Sequence, residues 1–293
     1  MKVTFIGLGI MGSRMAGNLL KNDVALTVFN RSVEPARKLE QAGAVAAGSY
    51  RESVEGADVV FTMLSTPYVI EQLAFGKAGF VPAMKENALW IDCSTVNPSF
   101  SLHQRDVAAE YSVRFIDAPV AGSKPVAETG ELVFLAGGEK DDLAQAEYLL
   151  RFMGSKVIHA GNTGSGSALK MLVNSLLAQS MLAFSETVLL GEKLGLDRNF
   201  LLDTLPALPV IAPFTKAKAE MIRSGNYDVQ FPLEWMHKDL HLAALTAYEC
   251  GQALLSVNVA KELYAAARQS GLGREDFSAI YKYLAEDKQE TRS

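Results

Sequence analysis

Apolar and β-branched residues come in short bursts through the first half of the chain. They cluster at 3–7, 26–30, 59–63, 89–93, 114–118, 132–137 and 156–160. Several bursts are apolar at every position rather than at alternate ones, the pattern of a strand covered on both faces. Stretches with helical spacing, such as Gly12–Lys21 and 35–41, lie between the early ones. Strands alternating with helices predict a doubly wound α/β sheet.

The texture changes near residue 164. After Gly161-Asn162-Thr163-Gly164-Ser165-Gly166, a stretch rich in Leu, Met and Ala runs from 168 to about 194 without an internal proline, and Gly191 is its first glycine. It reads as one long helix that closes near Gly195. Beyond it the β-branched bursts vanish, and Pro206, Pro209, Pro213 and Pro232 punctuate helical stretches. The expected organisation is an α/β domain at 1–163 and an all-α domain at 164–293 that begins with the long helix. The charged tail 286–293 reads as a frayed end.

Composition narrows the partners more than the fold. The 293 residues are 49% hydrophobic and 21% charged, with a net charge of −5. That is ordinary globular composition, with no basic field for nucleic acid or an anionic membrane. No uninterrupted run of about 18 apolar residues predicts a membrane span. Two cysteines, Cys93 and Cys250, make no disulfide framework, and the N-terminus lacks the features of a signal peptide. A cytoplasmic location is the expectation.

The first candidate chemistry is Gly7-Leu8-Gly9-Ile10-Met11-Gly12. G-x-G-x-x-G alone is weak, but here it follows a strand and opens a helix. The first glycine permits the turn, the second admits a pyrophosphate, and the third packs helix on strand. The amides at the helix start, with Ile10 and Met11 among them, would face the phosphates. About 20 residues further on, an acidic residue would bind a ribose 2′-hydroxyl. The second strand instead ends in Asn30-Arg31-Ser32. Arg31 would pair with a 2′-phosphate, with Asn30 and Ser32 donating hydrogen bonds, so NADP(H) is favoured over NAD(H). Met63 and Leu64 after one strand, and Thr95 after the next, lie where a cofactor would rest, although Thr95 also suits a helix cap.

Three segments carry the candidate reaction chemistry. Amides at Gly122, Ser123 and Lys124, with the Ser123 hydroxyl, would form a nest for a substrate carboxylate, or else an ordinary turn. Lys170 and Asn174 are four apart and share a helical face. Partial burial would lower the lysine pKa and make it a proton donor and acceptor, with Asn174 orienting it or holding the substrate oxygen. The same pair also suits a snorkelling lysine beside a satisfied asparagine, and the segment alone does not choose. Lys238 and Asp239 are candidates from the helical half. His237 and His241 have zinc-helix spacing, but Lys238 stands where a catalytic glutamate would be and no third ligand is evident, so no metal is expected.

Together these residues resemble the β-hydroxyacid dehydrogenase family over nearly the whole chain. Phe5 to Gly12 is similar to its N-terminal motif, Asp117-Ala118-Pro119-Val120-Ala121-Gly122-Ser123 to its substrate loop, Gly164 through Lys170 and Asn174 to its catalytic motif, and Lys238-Asp239-Leu240 to its C-terminal cofactor motif. Gly122 to Leu132 most resembles the glyoxylate/succinic semialdehyde reductase branch. Ala121 departs from the family's usual serine, which leaves carboxylate binding to Ser123 and backbone amides.

The resemblance implies a Rossmann domain followed by an all-α domain that often mediates dimer or tetramer formation. It implies NADPH-dependent reduction of a small carboxylate-bearing aldehyde or keto acid with Lys170 as proton donor. It also implies Phe231 narrowing the pocket, Lys238 on the cofactor and Asp239 near the substrate. The alternatives are 3-hydroxyisobutyrate or tartronate semialdehyde chemistry and, in another class, a non-catalytic NADP(H)-binding sensor or scaffold. Imine reductases commonly lack the lysine.

Overall fold

In a computed structural model, which describes residues 1–286, the chain packs as two units, Met1–Met171 and the residues from Leu172 onward. Of the expected frayed tail, 287–293 lies outside the described residues.

The first unit is built on a nine-strand sheet: β1 Val3–Ile6, β2 Leu26–Phe29, β3 Val45–Ala46, β4 Val59–Thr62, β5 Leu89–Asp92, β6 Arg114–Asp117, β7 Val120–Ala121, β8 Leu132–Gly137 and β9 Gly154–Gly161. The order is β3-β2-β1-β4-β5-β6-β8-β7, with β9 also on β8. From β3 through β6 every pairing is parallel, with registers such as Val3↔Leu26 and Val3↔Val59. This is the doubly wound Rossmann order, which reverses direction between β1 and β4 and opens a crevice at the strands' carboxyl ends.

Successive residues feed opposite faces of the sheet. Phe5, Phe61, Ile91 and Ile116 join one core with Met15, Leu19 and Leu149, while Ile6, Val60, Trp90 and Phe115 join the other with Ile70 and Phe80. Two-sided burial explains why these strands are apolar throughout.

Two strands were absent from the expected set. β3 and β7 have two residues each, too short for any periodicity, and β7 lies inside the stretch that resembles the family's substrate loop. Its antiparallel pairing with β8, and that of β6 with β8, make the sheet mixed at this edge.

The long helix spans Ser165–Lys193. It closes at Gly195 (φ +87°), with Leu196 N donating to Gly191 O at 3.0 Å. On length and composition alone it is long and apolar enough to cross a membrane, although Lys170, Asn174 and Glu186 interrupt its apolar run. Its first turns pack on the sheet, which places the division between units inside the helix rather than at its start. The second unit holds the rest of the helix together with Arg198–Thr204, Thr215–Ser224, Leu233–Cys250, Leu255–Gln269 and Ile280–Ala285.

Candidate active site

The glycine turn joins β1 to helix Gly12–Lys21 at the point where strand order reverses. Gly7 holds φ +97°, and a Cβ there would fall 2.4 Å from Met63 O on the neighbouring strand. A Cβ on Gly12 would strike Gly7 O at 2.0 Å. Gly9 differs, since a Cβ on it would meet nothing within 4 Å. Two glycines are thus demanded by the fold, and the third faces open space. The helix start carries no acidic residue and no side-chain cap, so its amides and positive dipole end stay available to an anion. This arrangement fits a dinucleotide's pyrophosphate.

At the end of β2, Asn30 is turned inward. Its Oδ1 accepts from Leu8 N at 2.9 Å and its Nδ2 donates to Ser32 O at 3.0 Å. Asn30 therefore braces the glycine turn, and its Nδ2 keeps a second hydrogen beyond the one given to Ser32 O. Arg31 and Ser32 are exposed, and among the described residues Arg31 pairs with no carboxylate. Arg14 reinforces the turn from behind, with Nη1 donating to Ile10 O at 2.6 Å and Nε bonded to Glu128 at 2.7 Å.

The ends of β4 and β5 are tied together. Leu64 N donates to Ser94 Oγ at 2.8 Å, and Asp92 collects Thr62 Oγ1 at 2.7 Å, Gln104 Nε2 at 2.7 Å and Ser94 N at 3.1 Å. Complete burial raises the Asp92 carboxyl above its ordinary value. The knot fixes Met63 and Leu64, both half-buried, with half-buried Thr95 next along the chain.

Gly122 (φ +135°) is wedged against Leu132 and Val126, and Ser123 precedes the short helix Lys124–Glu128 without capping it through its side chain. Ser123 and Lys124 are half-buried and Gly122 is exposed. Asp117, at the end of β6, reaches the start of the long helix. Its Oδ1 accepts from Gly164 N and its Oδ2 from Ser167 N, both at 2.7 Å. Burial pushes this carboxyl up to about 6, against the lowering effect of those amides.

Gly164 and Gly166 stand where the long helix meets the rest of the first unit. Both are held to glycine by close protein backbone. A Cβ on Gly166 would lie 2.2 Å from Leu135 O, and one on Gly164 would lie 3.3 Å from Pro98 O. One turn further along this anchored helix stands half-buried Lys170.

In the second unit Asn174 is 1% exposed and donates from Nδ2 to Asp239 Oδ2 at 2.6 Å. Lys238 Nζ lies 2.9 Å from Asp239 Oδ1, close enough for ionic attraction but outside hydrogen-bond angles. Asp239, expected near the substrate, thus fixes the rotation of the Asn174 amide. Among the described residues, that leaves the buried Asn174 Oδ1 without a donor. Phe231 packs against Phe277 with centroids 5.7 Å apart, and its N–H donates to Asp276 at 3.1 Å. Asp276 is fully buried and paired with Lys218 Nζ at 2.8 Å.

His237 lies 3.5 Å from Arg268 Nη1, and burial and that guanidinium both lower its pKa. Among the described residues no three His, Cys, Asp or Glu gather as around a metal ion.

Comparison with known proteins decides the family. A family model for the NAD binding domain of 6-phosphogluconate dehydrogenase matches residues 2–161, and one for the NAD-binding of NADP-dependent 3-hydroxyisobutyrate dehydrogenase matches 164–284. The chain is 35% identical to glyoxylate/succinic semialdehyde reductase 1 of Arabidopsis thaliana over 280 residues, 96% of this chain and 97% of that protein. This chain belongs to the β-hydroxyacid dehydrogenase family.

Mouse mitochondrial 3-hydroxyisobutyrate dehydrogenase is 33% identical over 292 residues, 97% of this chain and 87% of that protein. The solved Mycobacterium tuberculosis 3-hydroxyisobutyrate dehydrogenase with L-serine superimposes with a TM-score of 0.88 at 28% identity, covering 97% of this chain and 99% of that one. As a β-hydroxyacid dehydrogenase the chain is an NAD(P)-dependent oxidoreductase with a nicotinamide cofactor.

Sequence reasoning gave Asp117 no role of its own and passed over Asp92, Arg14 and the Lys218–Asp276 pair. The one signal for Asp117 was the long helix itself, whose first turn carries no acidic residue.

Proposed function

We propose that this dehydrogenase reduces small carboxylate-bearing aldehydes or keto acids, glyoxylate and succinic semialdehyde foremost, with NADPH and with Lys170 as the proton donor. The observation that carries the reading is the gathering of candidate residues at the carboxyl ends of one sheet. The glycine turn follows β1, Leu64 follows β4, Thr95 follows β5, the Gly122-Ser123-Lys124 loop follows β7, and the helix bearing Lys170 is pinned to the end of β6. In such sheets ligands bind outside the strands' carboxyl ends. Similarity to the Arabidopsis reductase over 96% of the chain supports the substrate class. The missing acid at the end of β2, and exposed Arg31 there, support NADP(H).

When bound, the nicotinamide supplies the hydride that reduces the carbonyl carbon. The chain's residues do the rest. Amides of Gly122, Ser123 and Lys124, with the Ser123 hydroxyl, hold the substrate carboxylate. Lys170 Nζ, as the ammonium, gives a proton to the oxygen as it gains negative charge. Asn174 Oδ1, fixed by Asp239 and without a donor among the described residues, accepts from a hydroxyl such as the reduced product carries.

The second unit exposes Leu172 and Leu176, and further along Leu190 and Leu194, four apart in each case, with exposures of 60–72%. We assign this surface to pairing with a second copy, and light scattering that finds only monomer at micromolar concentration would end that assignment.

The test of function is NADPH oxidation with glyoxylate and with succinic semialdehyde, with NADH as control, on wild type, Lys170→Ala and Arg31→Ala. Turnover with NADPH, its loss by about 10³-fold or more in Lys170→Ala with NADPH still bound, and a reduced NADPH preference in Arg31→Ala are expected. Retained turnover in Lys170→Ala removes the lysine from the mechanism. Turnover confined to oxidation of 3-hydroxyisobutyrate, offered separately with NADP+ or NAD+ as the hydride acceptor, moves the substrate to that branch, and NADPH binding without any turnover favours a sensor.

A further inference from the structure

We propose that Asp117 is the positioning residue for Lys170: its carboxylate, projecting from β6, locks the start of the long helix in place and in rotation. The proposal rests on the reading of Lys170 as proton donor.

A helix start leaves amides without partners, and the first turn of Ser165–Lys193 offers no acidic side chain of its own. Asp117 supplies both acceptors, one oxygen to Gly164 N and the other to Ser167 N, each at 2.7 Å. Two contacts from one rigid carboxylate fix the height of the helix above the sheet and also its turn about its axis. Lys170 stands three residues beyond Ser167, on an adjoining part of the same face and about 4.5 Å further along the axis. A rotation of the first turn would therefore carry the lysine directly with it.

The surroundings are shaped to keep the carboxylate there. A Cβ on Gly137 would fall 2.6 Å from Asp117 Oδ1 and 2.8 Å from both Asn162 O and Gly166 N, so this strand end is flush with the carboxylate and with the helix start. One on Gly166 would fall 2.9 Å from Asp117 O and 2.2 Å from Leu135 O, so the helix lies flush on the strand ends. Ser167 adds a hydroxyl contact to Ser101 at 2.8 Å. The site is buried, which opposes charge, yet an uncharged isostere would not serve. An asparagine has one acceptor oxygen and would turn an N–H toward the other amide. The need for two acceptors explains why a carboxylate occupies so unfavourable a place.

The experiment compares Asp117→Asn with Gly137→Ala, whose added methyl presses on the carboxylate and on the Gly166 amide of the helix start together, and with Ser101→Ala, which loosens the same turn without removing an amide acceptor. kcat and KM at saturating NADPH, NADPH affinity by fluorescence, and amide exchange across 164–170 are measured, with Lys170→Ala as reference. The expected result is a kcat loss of about tenfold to a hundredfold in Asp117→Asn and Gly137→Ala. NADPH affinity is expected within about twofold of wild type, exchange of the helix-start amides faster, and kcat in Ser101→Ala within about threefold. A loss no greater than that of Ser101→Ala, or one matched by weakened NADPH binding, overturns the proposal. Should Lys170→Ala be inactive while Asp117→Asn and Gly137→Ala turn over normally, the positioning role alone falls. Should Lys170→Ala remain active, the proton-donor reading falls and the positioning role with it.

Discussion

The two units treat buried carboxylates differently. In the first, Asp92 and Asp117 are 1% exposed and held by amides, hydroxyls and a carboxamide, and none of these donors is a cation. In the second, Asp239 and Asp276 are buried beside lysines, Lys238 at 2.9 Å and Lys218 at 2.8 Å. Neutral donors stabilise a charge less than a cation does, so burial wins in the first unit and both carboxyls titrate high. The difference follows from what each carboxylate does. Asp117 gathers two backbone amides and Asp92 two side chains and one amide at strand ends, where two acceptor oxygens are the requirement. Asp276 closes a core around a lysine, and removing either partner leaves a bare charge.

The largest expected effect comes from breaking the second arrangement. Lys218→Met leaves Asp276 buried at 0% exposure without its cation, and should destabilise the fold by about 3–5 kcal/mol in urea denaturation. Replacing both partners by apolar residues is often harmless for a buried pair, but here it should not rescue. Asp276 also accepts from Gln230 N, Phe231 N, Ser278 N and Ser278 Oγ, and the double variant orphans them all. A double variant as stable as wild type would show that those amides find other partners and that the pair is dispensable.

The first arrangement should show itself through pH. The Asp117 carboxyl sits at about 6 when folded, against an ordinary 3.8. The folded state therefore holds this proton more tightly than the unfolded chain. Its contribution to stability is full below pH 3.8 and is lost as pH rises to about 6. A shift of about two units corresponds to about 3 kcal/mol. Asp92, its register partner on β5, titrates high as well, so wild type alone would mix the two. The stability difference between wild type and Asp117→Asn isolates one, and it should move against wild type by up to that amount between pH 4 and pH 7. A difference flat across that window would mean that the amides, not burial, dominate the carboxyl.

The contrast between units also marks what could be read from the chain beforehand. Features set by near neighbours were legible. The strands were betrayed by continuous apolar runs, the nucleotide turn by glycine spacing, the long helix by its lack of proline, and the shared face of Lys170 and Asn174 by a separation of four. Features set by distant partners were not. Asp117 meets amides 47 and 50 residues away, Asn174 meets an aspartate 65 away, and the Phe231 backbone is held by one 45 away. Asn30 was placed correctly at the end of β2, yet its side chain points back to an amide 22 residues earlier. Local pattern says where a polar residue stands, and only the fold says which of two backbones it serves.

The smallest expected effect concerns a cation that the first unit keeps at its rim. Arg14 bonds both Glu128, itself half-exposed, and the carbonyl of Ile10 in the glycine turn. Solvent screens the ion pair, so its loss should lower stability by at most about 1 kcal/mol. The bond to Ile10 has another consequence, because it braces the turn whose amides would face a bound pyrophosphate. Arg14→Met removes both contacts and should weaken NADPH binding several-fold with little change in Tm. Glu128→Gln leaves the carbonyl contact in place and should hardly alter NADPH affinity. Equal weakening in both variants would place the effect in the ion pair and leave the turn independent of Arg14. Affinity lost in step with Tm would mean that the rim arginine supports the unit as a whole, and the division between a cation-free interior and a functional rim would lose its basis.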